Sequence, residues 1–142
     1  MKTIMVCCLL CLPLKNLRIT SAYGYRHHPV TGKYAFHAGV DLRAKHDTVY
    51  AVMDGSVNDV GYNNFLGIYI RLDHEDFQSS YGHLSRVFVA PGETIEAGDP
   101  IGITGASGRV TGEHLHFSIS YHGQYIDPIK FLYQLLINQN HE

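Results

Sequence analysis

From about Leu17 onward, glycine and turn dipeptides recur so often that no long uninterrupted element fits, and this punctuation constrains the fold most. The fourteen glycines are spread along the chain and do not gather in a linker. Asp54-Gly55, Pro91-Gly92, Ala97-Gly98 and Asp99-Pro100 cut the chain into short runs, as tight corners between strands do. The runs between them have strand character. Val49 to Val52 and Gly55 to Val60 flank the first of these turns. Gly67 to Leu72 places Ile68, Ile70 and Leu72 on one face and Tyr69 and Arg71 on the other, and a further strand is expected through Ser80 to Leu84. Only the C-terminal run has helical spacing: Phe131, Leu132, Leu135 and Leu136 follow Asp127 and Pro128, which suit a cap and a first helical position. The expected class is all-β, an antiparallel β-sandwich or partly open barrel with one short C-terminal helix.

At 142 residues the chain is long enough for one hydrophobic core, expected over residues 17–137 with a tail at 138–142. A formal net charge of −2 offers no basic footprint, so a nucleic-acid partner is not expected. Lys2 followed by an apolar run from Ile4 to Leu14, broken only by Pro13, reads as an export segment over residues 1–14, the alternative being a mispredicted start or a first buried strand. That run is too short to span a membrane comfortably, so no stable membrane insertion is expected after processing. The expected location is the periplasm or cell envelope. All three cysteines (Cys7, Cys8 and Cys11) fall in this segment, so a processed domain would have neither a disulfide nor thiol redox chemistry.

The chain has ten histidines, and histidine is the commonest metal ligand. In His114-Leu115-His116-Phe117-Ser118-Ile119-Ser120, strand alternation sets His114, His116, Ser118 and Ser120 on one face and Leu115, Phe117 and Ile119 on the other. A helix would put the two imidazoles on nearly opposite sides. The same pattern also fits two solvent-exposed histidines on an ordinary amphipathic strand. His37-Ala38-Gly39-Val40-Asp41 sets a histidine and a carboxylate four apart, on one side in either strand or helix, and Gly39 permits close backbone approach. Tyr81-Gly82-His83-Leu84 adds a histidine on a strand. Two imidazoles and a carboxylate leave the open position that catalytic zinc needs, and surplus imidazoles could serve proton transfer.

These segments sit in a longer pattern. It runs from Ile19-Thr20-Ser21-Ala22-Tyr23-Gly24-Tyr25-Arg26 and His28-Pro29 through His37-Ala38-Gly39-Val40-Asp41-Leu42 and Asp54-Gly55-Ser56-Val57. It continues with Tyr81-Gly82-His83-Leu84-Ser85 and Gly105-Ala106-Ser107-Gly108, and ends with Thr111-Gly112-Glu113-His114-Leu115-His116-Phe117 and Asp127-Pro128. In this it resembles the lysostaphin-type (LytM-like) zinc endopeptidases of bacterial cell wall, over nearly all of residues 17–132. The resemblance implies one zinc ion per chain held by His37, Asp41 and His116, with catalytic roles for His83 and His114. It implies a monomeric enzyme acting on peptidoglycan peptide stems. It also admits a catalytically silent wall-binding or hydrolase-activating module, which the five intact site positions argue against. The chain departs from the family pattern at Ser118, where glutamate is common, and in the Asp73 to Gln78 loop. Both departures bear on substrate choice.

An iron oxygenase with two histidines and a carboxylate would usually show His-x-Asp and would leave His83 and His114 without a role. A biotinyl-type carrier would need a lysine at a hairpin tip where this chain has none. Arg26 is expected to anchor either a substrate carboxylate or carbonyls of its own loop. Tyr23, Tyr25, Tyr34 and Tyr81 are candidates to line a peptide groove. His27 and His28 are expected in a loop, Ser107 in a turn, and His46, His74, His122 and His141 in solvent.

Overall fold

In a computed structural model, the structure describes residues 10–140 apart from 109 and 111. Residues 1–9 of the expected export segment, and His141, lie outside the described residues. The strands are β1 (Ile19–Ser21), β2 (Gly24–His27), β3 (Tyr34–His37), β4 (Val40–Arg43), β5 (Thr48–Tyr50), β6 (Gly55–Asn63) and β7 (Gly67–His74). They continue with β8 (Phe77–Val87), β9 (Thr94–Ile95), β10 (Pro100–Thr104), β11 (His114–Tyr121) and β12 (Gln124–Ile126), before helix α1 (Pro128–Asn140).

The expected antiparallel β architecture with one C-terminal helix is what forms. Ten strands join one sheet along the path β1-β4-β11-β8-β7-β6-β9, with β10 bridging β8 to β5 and β12 extending β11. The two ends of this path do not pair, so the sheet is not a closed barrel. Strands β2 and β3 form a separate hairpin.

The core follows from strand parity. Val40 and Leu42 of β4, Ile70 and Leu72 of β7, and Leu115, Phe117 and Ile119 of β11 all point inward and are fully buried. Their neighbours Asp41, His114 and His116 therefore face the opposite side of the same strands. Asp127 begins α1 as expected: its carboxylate accepts the Ile129 N–H at 3.0 Å, and Pro128 takes the position that needs no donor. The helix returns Leu132 to the core and sets the Phe131 ring 4.8 Å from Phe77. It runs on to Asn140, past the expected domain edge at residue 137.

Part of the expected export segment is built into this core. Cys11 donates its N–H to the Val52 carbonyl and Pro13 accepts from Tyr50 N–H, each at 2.9 Å, and Leu14 is 2% exposed. Leu14→Ala should accordingly destabilise the fold by about 2–5 kcal/mol, the usual cost of such a cavity. Urea unfolding measures this, and a shift near zero would mean that the Leu14 side chain contributes nothing to the core.

Two tyrosine and histidine expectations change here. Tyr81 is fully buried, its ring 5.4 Å from that of Phe117 and its hydroxyl accepting the Val52 N–H at 3.2 Å, so it lines no groove. His74 is half-buried and bridges the Asp54 carbonyl (2.8 Å) and the Ser79 hydroxyl (2.7 Å). His46 and His122 are exposed as expected.

Candidate functional site

Three adjoining elements bring the site together. Asp41 of β4 is paired directly across from His116 of β11, and His116 pairs on its other side with Gly82 of β8. His37 arrives from the separate hairpin, at the end of β3, and turns into β4 through Ala38 and Gly39. This turn must pass close over His116: a Cβ on Gly39 would lie 2.7 Å from the Phe117 carbonyl oxygen and 2.8 Å from the His116 ring.

His83 reaches the same face by a different route. Tyr81 and Leu84 both point into the core, three residues apart, because the β7–β8 register slips between Ile68 and Ile70. Gly82 and His83 together stand opposite Tyr69, which makes a β-bulge, and His83 takes a left-handed backbone (φ 61°). Without the bulge, alternation from Tyr81 would bury His83 in the core. With it, the imidazole turns toward β11, its ring centroid 4.7 Å from that of His114.

The geometry is specific. His37 Nε2, Asp41 Oδ1 and His116 Nδ1 form a triangle with edges of 3.4 Å (His37–Asp41), 3.1 Å (Asp41–His116) and 3.3 Å (His37–His116). The other ring nitrogen of His37 donates to the Ala22 carbonyl at 3.0 Å, which leaves an Nε2 lone pair directed at its partners. His116 has one Nδ1 proton at most, so it can satisfy only part of this electron-rich cluster; a cation satisfies all of it. A tetrahedral zinc with ligands near 2.0–2.1 Å separates its donor atoms by roughly 3.3 Å, so these three side chains fit that ion.

His83 and His114 stand just outside the triangle. His83 Nδ1 donates to the Ser107 carbonyl at 2.7 Å and His114 Nδ1 to the Gly112 carbonyl at 2.9 Å. With Nδ1 donating, each ring in its neutral form offers Nε2 as an acceptor, and His114 Nε2 lies 3.6 Å from Asp41 Oδ1. Burial pushes the His83 imidazole down to about 4, with His114 and His116 adding to the effect, so it is neutral at pH 7. Burial alone would raise the Asp41 carboxyl, but its contacts with His116 and His37 outweigh that and hold it well below the usual carboxylate range.

Sequence reasoning placed Ser107 only in a turn, whereas it is a clasp. Its hydroxyl accepts from Ile68 N–H at 3.0 Å and donates to the Leu84 carbonyl at 2.6 Å, while its own carbonyl orients His83. A serine between Gly105 and Gly108 was the available signal, since the Gly108 position lies against Gly67 too closely for any side chain.

The site opens into a cavity of about 640 Å³ walled by Arg26, His28, Phe36, Phe65 and Leu66 among others. His27, expected in a loop, is the last residue of β2 and reaches this rim. The Asp73 to Gln78 segment is the tip of the β7–β8 hairpin and forms no part of the wall. Tyr25 and Tyr34 stack on each other at 5.7 Å on the exposed hairpin, also outside the cavity.

Residues 35–128, well over half of the chain, match the model of peptidase family M23. The chain belongs to peptidase family M23. The M23 chain is 39% identical over 119 residues to the peptidoglycan DD-endopeptidase ShyC of Vibrio cholerae, covering 82% of this chain and 28% of that one. It is 35% identical to the DD-carboxypeptidase/endopeptidase Mpg of Neisseria meningitidis, covering 82% and 27%. It thus spans little more than a quarter of the curated relatives it matches. The catalytic domain of lysostaphin from Staphylococcus simulans superposes with a TM-score of 0.75 at 30% identity, covering 83% of this chain and 93% of that one. A zinc-containing peptidase from Vibrio cholerae superposes with a TM-score of 0.78 at 32% identity, covering 84% and 39%. Among the described residues no helix is long and apolar enough to cross a membrane.

Proposed function

We propose that this M23 chain is a zinc-dependent endopeptidase that hydrolyses peptide cross-links of peptidoglycan in the periplasm or cell envelope. The triangle of His37, Asp41 and His116, with edges matching a tetrahedral zinc, is the observation that carries this reading. Zinc bound there would polarise the scissile carbonyl and lower the pKa of a water molecule. His83 and His114 present two acceptor nitrogens at that centre, held by backbone carbonyls in the tautomer that leaves Nε2 free. One accepts the proton of the attacking water and returns it to the leaving amine, and the other orients the water or steadies the developing oxyanion. The names of the Vibrio and Neisseria relatives favour a direct cross-link over a glycyl bridge as the substrate.

Metal analysis of the purified protein should find one zinc per chain, and digestion of isolated peptidoglycan should release new amines. Chelation should abolish release and added zinc should restore it. A zinc-loaded protein that frees no amine would sink the enzymatic reading and leave the silent wall-binding module in its place. Mass spectrometry of the fragments identifies the bond.

A further inference from the structure

Arg26 of β2 lines the cavity beside the metal-type triangle, and it is the one lysine or arginine to do so among the described residues. Its guanidinium is poorly used by the protein. One terminal nitrogen donates to the His27 carbonyl at 3.4 Å, and the other forms an ion pair with Asp41 Oδ2 at 3.8 Å, too long for a hydrogen bond. Its Nε is the one buried side-chain polar atom among the described residues that lacks a hydrogen-bond partner. Among the described residues Asp41 is the only carboxylate in the cavity wall, and it turns Oδ1 toward the imidazoles and Oδ2 toward Arg26. A mostly buried cation with spare donors thus faces the cavity one carboxylate's width from the candidate reaction centre.

We infer that Arg26 reads a free carboxylate on the carbon attached to the scissile amide nitrogen. The inference rests on the endopeptidase reading above. It follows from where a carboxylate can lie next to a peptide bond. On the acyl side, the carboxyl of the flanking carbon is itself the scissile carbonyl. On the amine side, the flanking carbon carries its own carboxyl, whose oxygens lie roughly 2.7–3.6 Å from the scissile nitrogen. That carboxyl is free only if the residue ends a chain, or if the amine belongs to a diamino-dicarboxylic residue whose second centre is linked. A glycine inside a bridge and an ordinary lysine side chain both lack it. The substrate class is therefore an N-acylated α-amino acid with its carboxylate free, and guanidinium is the side chain that best matches a planar carboxylate.

Two pairs of synthetic stem peptides test this with the zinc-loaded enzyme. One pair is linear, with the amine-side residue as free acid or as carboxamide. The other is branched through a diamino-dicarboxylic residue, with the neighbouring carboxylate free or amidated. The wild type should cleave the acid of at least one pair with kcat/KM on the order of a hundredfold above its amide, mainly through KM. Whichever pair is cleaved identifies the source of the carboxylate. Arg26→Gln should bring the acid-to-amide ratio close to one, and Arg26→Lys should leave it between the two. A structural arginine would lower both members of a pair together and leave the ratio unchanged. That result, or a wild-type ratio near one, overturns the assignment while the endopeptidase reading stands. Failure of the wild type to cleave any of the four peptides or isolated peptidoglycan overturns both.

Discussion

His114→Ala is expected to lower hydrolysis of cross-linked peptides by about 10²–10⁴-fold while the protein still binds one zinc per chain. Both ring nitrogens have defined surroundings. Nδ1 donates to the Gly112 carbonyl at 2.9 Å, and Nε2 points to the triangle from outside it, 3.6 Å from Asp41 Oδ1. Removing the ring takes away a proton acceptor but no edge of the triangle, so rate and metal content should separate. His83 should behave in the same way, and Asn is the better replacement there. At φ 61° an alanine would keep a strained backbone, whereas asparagine tolerates the left-handed region several-fold better than most residues. Metal stoichiometry measured beside single-turnover rates decides the matter. Loss of zinc in either variant would move that histidine into the ligand set.

How legible these residues are in the sequence depends on whether strand parity holds. Along β11 it holds without interruption, so His114 and His116 could be assigned to one face and Leu115, Phe117 and Ile119 to the core from the letters alone. Along β8 it fails. Tyr81, Gly82, His83 and Leu84 read as regular alternation, yet the bulge opposite Tyr69 sends both Tyr81 and Leu84 inward and swings His83 out. Gly82 is the one hint of a bulge in that stretch, since glycine inside a strand often marks one, but the left-handed position itself is occupied by histidine. The same slip explains why Tyr81, a groove candidate by its letters, is a core residue.

Other features were hidden because they depend on which ends of strands meet. The Asp73 to Gln78 departure looked relevant to substrate choice, but β7 and β8 are long, and their shared tip is remote from the residues at the opposite end of the hairpin. There, Leu66 precedes β7 and His83 lies late in β8, and these do line the cavity. Chain-local spacing did place His37 and Asp41 on one side. It could not show that the two come from different sheets, with β3 in the hairpin and β4 in the main sheet. That division makes the short turn between them the part of the site with least freedom.

Gly39→Ala tests that turn, and its effect should be large for a single methyl group. The added Cβ would lie 2.7 Å from the Phe117 carbonyl oxygen and 2.8 Å from both Cε1 and Nε2 of His116, closer than side-chain carbons approach such atoms. Phe117 is held in register between Val40 and Tyr81, so its carbonyl has little room to retreat. The strain must then move the His37–Asp41 turn outward or tilt the His116 ring, and either change opens the 3.1–3.4 Å triangle. Zinc affinity should fall about 10–100-fold, the range seen when the surroundings of a metal ligand are disturbed, and hydrolysis at limiting zinc should fall with it. Overpacking should also cost about 1–3 kcal/mol of stability, measurable by urea unfolding of the metal-free protein. Gly112→Ala makes the same chemical change where nothing lies within 4 Å, and it keeps the carbonyl that orients His114. Zinc titrations of the two variants side by side separate local strain at His116 from a general glycine effect. If Gly39→Ala binds zinc as tightly as the unaltered chain, His116 does not hold the ion from the position it occupies against that turn.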